Sequence, residues 1–221
     1  MGNFKGKYKS LYEIKGYSDY SIDGHDSKWN MDTLTIFDKD LLKRIDEINK
    51  TNIKIVELGC EARCKIYHML TKHSTSKLEK YYGVDIPNLL TLSPIKNNEN
   101  VFLTHNVYDI KEKIDIFYSN SSLQYIINSY DFLTHILTLS PQYIILNITP
   151  FTIEDDFITL QIQRGGAERI PYKFLNREKF LSFIKKHDYE LISENIHYKM
   201  SLENCTADNL VFKKIIYEDH K

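Results

Sequence analysis

Two short segments, Glu57-Leu58-Gly59 and Gly83-Val84-Asp85, each place a carboxylate beside a glycine at the end of an apolar run. A carboxylate inside such a run is costly unless paired. Glu57 is therefore expected to meet backbone donors, a charged side chain or a cofactor ammonium. Asp85 follows its run, where a carboxylate can accept hydrogen bonds from both ribose hydroxyls of an adenosine cofactor or serve as a turn residue before Pro87. Asn106 and Asp109, in Thr104-His105-Asn106-Val107-Tyr108-Asp109, can read an adenine amino group or simply form a turn. After Gly59 the chain reads Cys60-Glu61-Ala62-Arg63-Cys64, without the further glycines that let a backbone approach a ligand closely. Glu61 and Arg63 either fill that space, point away, or pair with a cofactor carboxylate.

The elements that must position these residues follow from the periodicity. Ile53–Leu58, Lys80–Ile86, Asn100–Thr104, Ile114–Ser119 and Tyr143–Ile148 read as five buried strands, the second stopped by Pro87. Helical spacing predicts helices over Thr33–Lys50, Arg63–Thr71, Tyr130–Leu139 and Asn176–His187. Tyr189–Tyr198 and Asn209–Tyr217 read as a closing antiparallel pair. Strands alternating with helices, and apolar on both faces, imply a parallel sheet covered on both sides. Residues 1–32 are polar, glycine-punctuated and aromatic, and form an arm or lid on the domain spanning 33–221.

Composition narrows the classes. The 221 residues are 42% hydrophobic and 27% charged with a formal net charge of −1, so nothing calls for a nucleic-acid partner. Three cysteines, Cys60, Cys64 and Cys205, are too few for a disulfide framework, and no second Cys or His pair stands at metal spacing. They read as buried thiols in a reducing compartment, with no metal. The first ten residues lack the apolar core of a signal peptide and no run approaches membrane-spanning length, so a cytoplasmic protein is expected.

Val56-Glu57-Leu58-Gly59, Tyr82-Gly83-Val84-Asp85-Ile86 and Ile114–Ser119 with Leu123-Gln124-Tyr125-Ile126 occur in an order that resembles the class I S-adenosylmethionine-dependent methyltransferases. More narrowly, Phe4-Lys5-Gly6-Lys7-Tyr8-Lys9-Ser10 with Gly16-Tyr17, Ser121-Ser122-Leu123-Gln124-Tyr125, Thr149-Pro150-Phe151 and Thr159-Leu160-Gln161 resemble bacterial methyltransferase-like proteins often encoded with surface-polysaccharide genes. The resemblance covers most of the chain. It implies a doubly wound, mostly parallel seven-stranded Rossmann-like sheet with an aromatic N-terminal arm. It also implies S-adenosylmethionine held by Glu57, Gly59, Asp85, Asn106 and Ser119, and a small molecule or sugar as the acceptor.

Methyl transfer from a sulfonium depends on proximity and alignment, and an alcohol acceptor gains from a base within hydrogen-bond reach. His105, Asp155 and His197 are the candidates for that base, with O-methyl transfer favoured. Arg164, Tyr172 and Gln124 are candidates for holding the acceptor, and Gln161–Ala167, with its paired glycines, reads as a mobile substrate loop. A protein that keeps the fold but has lost catalysis, and acts by binding, is the alternative that the glycine-poor loop supports. A nicotinamide oxidoreductase would need a Gly-x-Gly-x-x-Gly, which the chain lacks.

Overall fold

The computed structural model describes residues 3–10, 34–48, 50–74, 77–162 and 169–217. Its centre is a set of parallel strands: β2 (Asn52–Leu58), β3 (Lys77–Val84), β4 (Val101–Thr104), β5 (Ile116–Asn120) and β6 (Tyr143–Thr152). Two long C-terminal strands, β9 (Tyr189–Lys199) and β10 (Cys205–Lys214), complete one side, β10 running antiparallel to both β6 and β9. The resulting order β4-β3-β2-β5-β6-β10-β9 is the expected seven-stranded, mostly parallel sheet. Its strand order reverses direction between β2 and β5, which is where an open α/β sheet leaves a crevice at its carboxyl edge.

Helices cover both faces. On one side α1 (Ile36–Glu47) and α2 (Lys65–His73) bury Leu41, Ile45, Ile66, Met69 and Leu70 against Ile53, Ile55, Tyr81, Ile116 and Ile145. On the other, α4 (Ser129–Thr138) and α5 (Arg177–Lys185) bury Phe132, Leu133, Ile136, Phe180 and Ile184 against Val56, Leu58, Phe117, Ile144 and Leu210. The period-2 alternation of the strands therefore decides which side chains meet which helix layer.

Local signals set the helix ends. Thr35 caps α1 by accepting from the Asp38 amide at 3.2 Å, and Asp38 returns the bond by accepting from the Thr35 amide at 2.7 Å. The same Asp38 carboxylate takes the Lys65 ammonium at 2.6 Å, which ties the start of α1 to the first turn of α2. Pro87 opens the short helix α3 (Pro87–Thr91) in place of merely stopping β3, because its fixed φ suits a first helical turn.

Three strands go beyond the expected seven. β7 (Phe157–Ile162) and β8 (Arg169–Asn176) form an antiparallel pair, and β1 (Asn3–Tyr8) adds to the outer edge of β7. The pair joins the main sheet through β6, which does not end at Ile148 but runs on to Thr152, where Phe151 and Thr152 pair with Leu175 and Asn176. At Ile148 the backbone turns to φ 52 and the β6–β10 register slips, with the Ile148 amide donating to Asn209 Oδ1 at 2.9 Å. Across this bulge β6 keeps β10 on one side and exchanges β5 for β8 on the other. Gln161 and Ile162, expected at the start of a mobile loop, are the last two residues of β7.

Candidate functional site

The carboxyl ends of β2, β3 and β5 meet at the reversal point of the sheet. Leu58 lies beside Val84 on one side and Ser119 on the other. Gly59 then turns with φ +79, its amide donating to the Val84 carbonyl at 2.8 Å. Beyond it Glu61 and Cys64 also hold positive φ, 53 and 46. The loop thus keeps the left-handed backbone that glycines would supply, carried by residues for which that conformation is strained.

Asp85 faces this loop. Its carboxylate accepts from the Glu61 amide at 2.7 Å and from the Ile86 amide at 2.7 Å, so it braces the loop between β2 and α2. Each carboxylate oxygen carries two lone pairs, which leaves capacity for a ligand hydroxyl as well.

Glu57 alternates onto the α1/α2 face and is 6% exposed. Its carboxyl group is hydrogen-bonded by the phenol of Tyr81, a neutral partner in place of the backbone donor or charged side chain expected from the protein itself. Burial pushes the Glu57 carboxyl well above the usual carboxylate range, and burial likewise raises Tyr81. Beside them Cys64 Sγ donates to the Glu61 carbonyl at 3.7 Å and lies against the Cys60 thiol, both cysteines being free. The contact between the thiols raises Cys60 and lowers Cys64.

The segment after β5 forms the opposite lip. Ser121 takes φ 54, and the Ser122 hydroxyl donates to the Asn120 carbonyl at 3.1 Å. Ser122 sits directly on Gly59: a β-carbon built there would stand 1.9 Å from Ser122 Oγ. Ser119 is fully buried and Gln124 is 2% exposed. Ser119 Oγ, Asn120 Oδ1 and Gln124 Oε1 are buried with no hydrogen-bond partner, while Gln124 Nε2 donates to Ser121 Oγ at 3.0 Å. Next along the chain, the Tyr125 hydroxyl donates to Gln161 Oε1 on β7 at 2.8 Å. Burial pushes that phenol up to about 12, so it acts as a neutral donor.

The remaining candidates are dispersed. Asn106 is drawn into its own turn, accepting from the Tyr108 amide at 3.2 Å and donating to Asp109 Oδ1 at 2.9 Å. His105 is exposed at the end of β4, on one edge of the seven-stranded sheet. His197 is exposed on β9 at the other edge, its ring centroid 5.5 Å from that of Phe37. Six strand spacings of about 4.8 Å put those edges roughly 29 Å apart, so the two histidines cannot serve one reacting atom. Asp155 is exposed in the β6–β7 turn. Tyr172 is 3% exposed within an aromatic cluster, 5.6 Å from the Tyr125 ring and 5.1 Å from that of Phe4. Arg164 and residues 11–32 of the arm lie outside the described residues.

Solved structures share this fold. The chain superposes on an S-adenosylmethionine-dependent methyltransferase from Clostridium acetobutylicum with TM-score 0.51, at 12% identity over 80% of this chain and 90% of that one. One from Methanosarcina mazei gives 0.54 at 12% identity over 78% and 97%. The 1,6-didemethyltoxoflavin-N1-methyltransferase of Burkholderia thailandensis, solved with its substrate and S-adenosylhomocysteine, gives 0.54 at 8% identity over 82% and 79%. The fold is the S-adenosylmethionine-dependent methyltransferase fold. No protein-family profile matches the chain. No curated protein matches it.

Within that fold, sequence reasoning missed Ser122 as the side chain resting on Gly59 and Tyr81 as the partner of Glu57. Ser122 lay inside a segment already singled out, but only the register of β2 against β5 brings it to the glycine. Tyr81 lies on the same face as Glu57, two residues before Gly83, and its aromatic character signalled a core residue, not a hydrogen bond.

Proposed function

We propose that this chain is an S-adenosylmethionine-dependent methyltransferase acting on a small molecule or sugar. The observation that carries the reading is the reversal point of the sheet, with left-handed Gly59 at the end of β2 and the Asp85 carboxylate just past β3. The residues present fit the cofactor. Asp85 has acceptor capacity for ribose hydroxyls, and Asn120 Oδ1 is a buried acceptor with no hydrogen-bond partner in the protein. Glu57, Gly59, Asp85, Asn106 and Ser119 are assigned to this side, and Gln124, Tyr172 and Arg164 to the acceptor side. The bound sulfonium would supply an electrophilic methyl group, and the chain's part is to align the acceptor and exclude water.

Residues 1–32 are assigned as an arm over the site and 33–221 as the catalytic domain. The resemblance of the arm and the Ser-x-Leu-Gln-Tyr segment extends the proposal to surface-polysaccharide biosynthesis in a bacterial cytoplasm, with O-methyl transfer. His105, Asp155 and His197 remain the candidates for a base. The spacing of the two histidines means that at most one of them serves.

Two observations favour a second reading, a fold kept for binding without catalysis: Asp85 is already engaged by loop amides, and Ser122 covers Gly59. Calorimetric titration with S-adenosylmethionine and S-adenosylhomocysteine separates the two. Binding is expected, and Asp85→Ala should weaken it by about 1–3 kcal/mol through lost hydrogen bonds. No heat at millimolar ligand would overturn the enzyme reading.

A further inference from the structure

The unpartnered buried polar atoms of this protein are not scattered evenly. Three of the eight found among the described residues, Ser119 Oγ, Asn120 Oδ1 and Gln124 Oε1, fall within one six-residue stretch after β5. Leaving a buried polar atom unpaired costs about 1–3 kcal/mol. Such atoms gather where a ligand or a second conformation satisfies them. The same stretch contains Ser121 in a left-handed conformation and Ser122 pressed on the bare α-carbon of Gly59. Ser122 is held there by its own hydroxyl, donated to the Asn120 carbonyl at 3.1 Å. In the space where a glycine-rich loop would admit a ligand, this chain has put a side chain from the facing lip.

We propose that Ser122 is a gate. Seated on Gly59, it closes the space between the loops that follow β2 and β5, and a ligand enters when the 121–124 segment lifts and the unpartnered acceptors turn toward it. The ligand class is one rich in N–H and O–H donors, which amino, ammonium and ribose hydroxyl groups supply. The gate rests on the cofactor reading, and S-adenosylhomocysteine is therefore the probe.

Titration calorimetry on wild type, Ser122→Ala and Ser122→Thr tests it. Ser122→Ala removes both the hydroxyl over Gly59 and the bond that seats it. The expected result is about three- to tenfold tighter binding, the equivalent of one such hydrogen bond. Ser122→Thr adds a methyl group at the contact and should bind more weakly than wild type. Measurable binding that stays within about twofold between wild type and Ser122→Ala overturns the gate alone. No binding by any of the three overturns the cofactor reading and the gate with it. A melting cycle needs no ligand: Gly59→Ala should cost more stability in the wild-type background than in the Ser122→Ala background, and equal losses would overturn the contact.

Discussion

Glu57 has been removed from water and given a phenol in place of a cation. Its neighbours are also acid-type or neutral: Cys60, Cys64 and Glu61 from the loop, Asp85 and Tyr81 from β3, and Tyr118 from β5. Burial therefore favours the protonated carboxyl group, and its folded-state pKa lies above the ordinary 4.5. The sign of the linkage follows. Below the ordinary value both folded and unfolded chains carry the proton, and the fold loses nothing. Above it the unfolded chain ionises while the fold retains the proton, so stability falls as pH rises toward the folded-state value. Glu57→Gln keeps a neutral acceptor for Tyr81 and cannot ionise. Its melting temperature should gain on that of wild type as pH is raised from 5 to about 8, with the two closest at the acidic end. Parallel curves across that window would show that Glu57 does not titrate differently on folding.

At the scale of elements, the loop from Gly59 to Cys64 shows how a backbone outlives its usual residues. Two of its three left-handed positions are filled by Glu61 and Cys64. Holding a non-glycine residue there costs about 1–2 kcal/mol, and glycine would give back part of that in unfolded-chain entropy. Glu61→Gly should therefore stabilise the protein by about 0.5–1 kcal/mol in urea unfolding, because the amide that Asp85 accepts is kept. A loss of stability would mean that the Glu61 side chain contributes more than its backbone costs.

The strands around this loop were legible in the sequence because each is a buried apolar run bounded by turn residues. β2, β3, β4 and β5 fall within a few residues of their expected bounds. β7 and β8 were not legible. Phe157–Ile162 and Arg169–Asn176 are short, mixed in polarity and separated by paired glycines, and the expected loop, Gln161–Ala167, took in the end of the first. Where the pair attaches depends on β6 running on past the bulge at Ile148, a tertiary event that no local pattern announces. The site divides the same way. Gly59 and Asp85 could be read from strand-end chemistry, whereas the seat of Ser122 on Gly59 depends on strand register.

For the molecule as a whole, the N-terminal strand belongs to the structure and is no appendage. Phe4 of β1 packs at 5.1 Å from Tyr172 and 5.7 Å from Phe174, which in turn stacks on Phe157 at 4.9 Å. Lys7 closes the edge with an exposed ion pair to Glu154 at 2.7 Å, a contact worth little by itself. The aromatic packing carries the attachment. Phe4→Ala should destabilise the protein by about 2–3 kcal/mol in chemical denaturation, near the low end for an aromatic truncation because the ring is only half-buried. An effect below about 0.5 kcal/mol would show that β1 docks without supporting the cluster.

β6 gives its first residues to the parallel sheet and its last two to the pairing with β8. A protein engineer wishing to exchange the aromatic half of this molecule for that of another enzyme would find no seam to cut. The splice would have to pass through the middle of a buried strand, and the transplanted half would bring the bulge at Ile148 and its Asn209 anchor with it. Changes in what the molecule accepts are therefore open to substitution at the strand ends and to turn lengthening, but closed to recombination of ready-made parts.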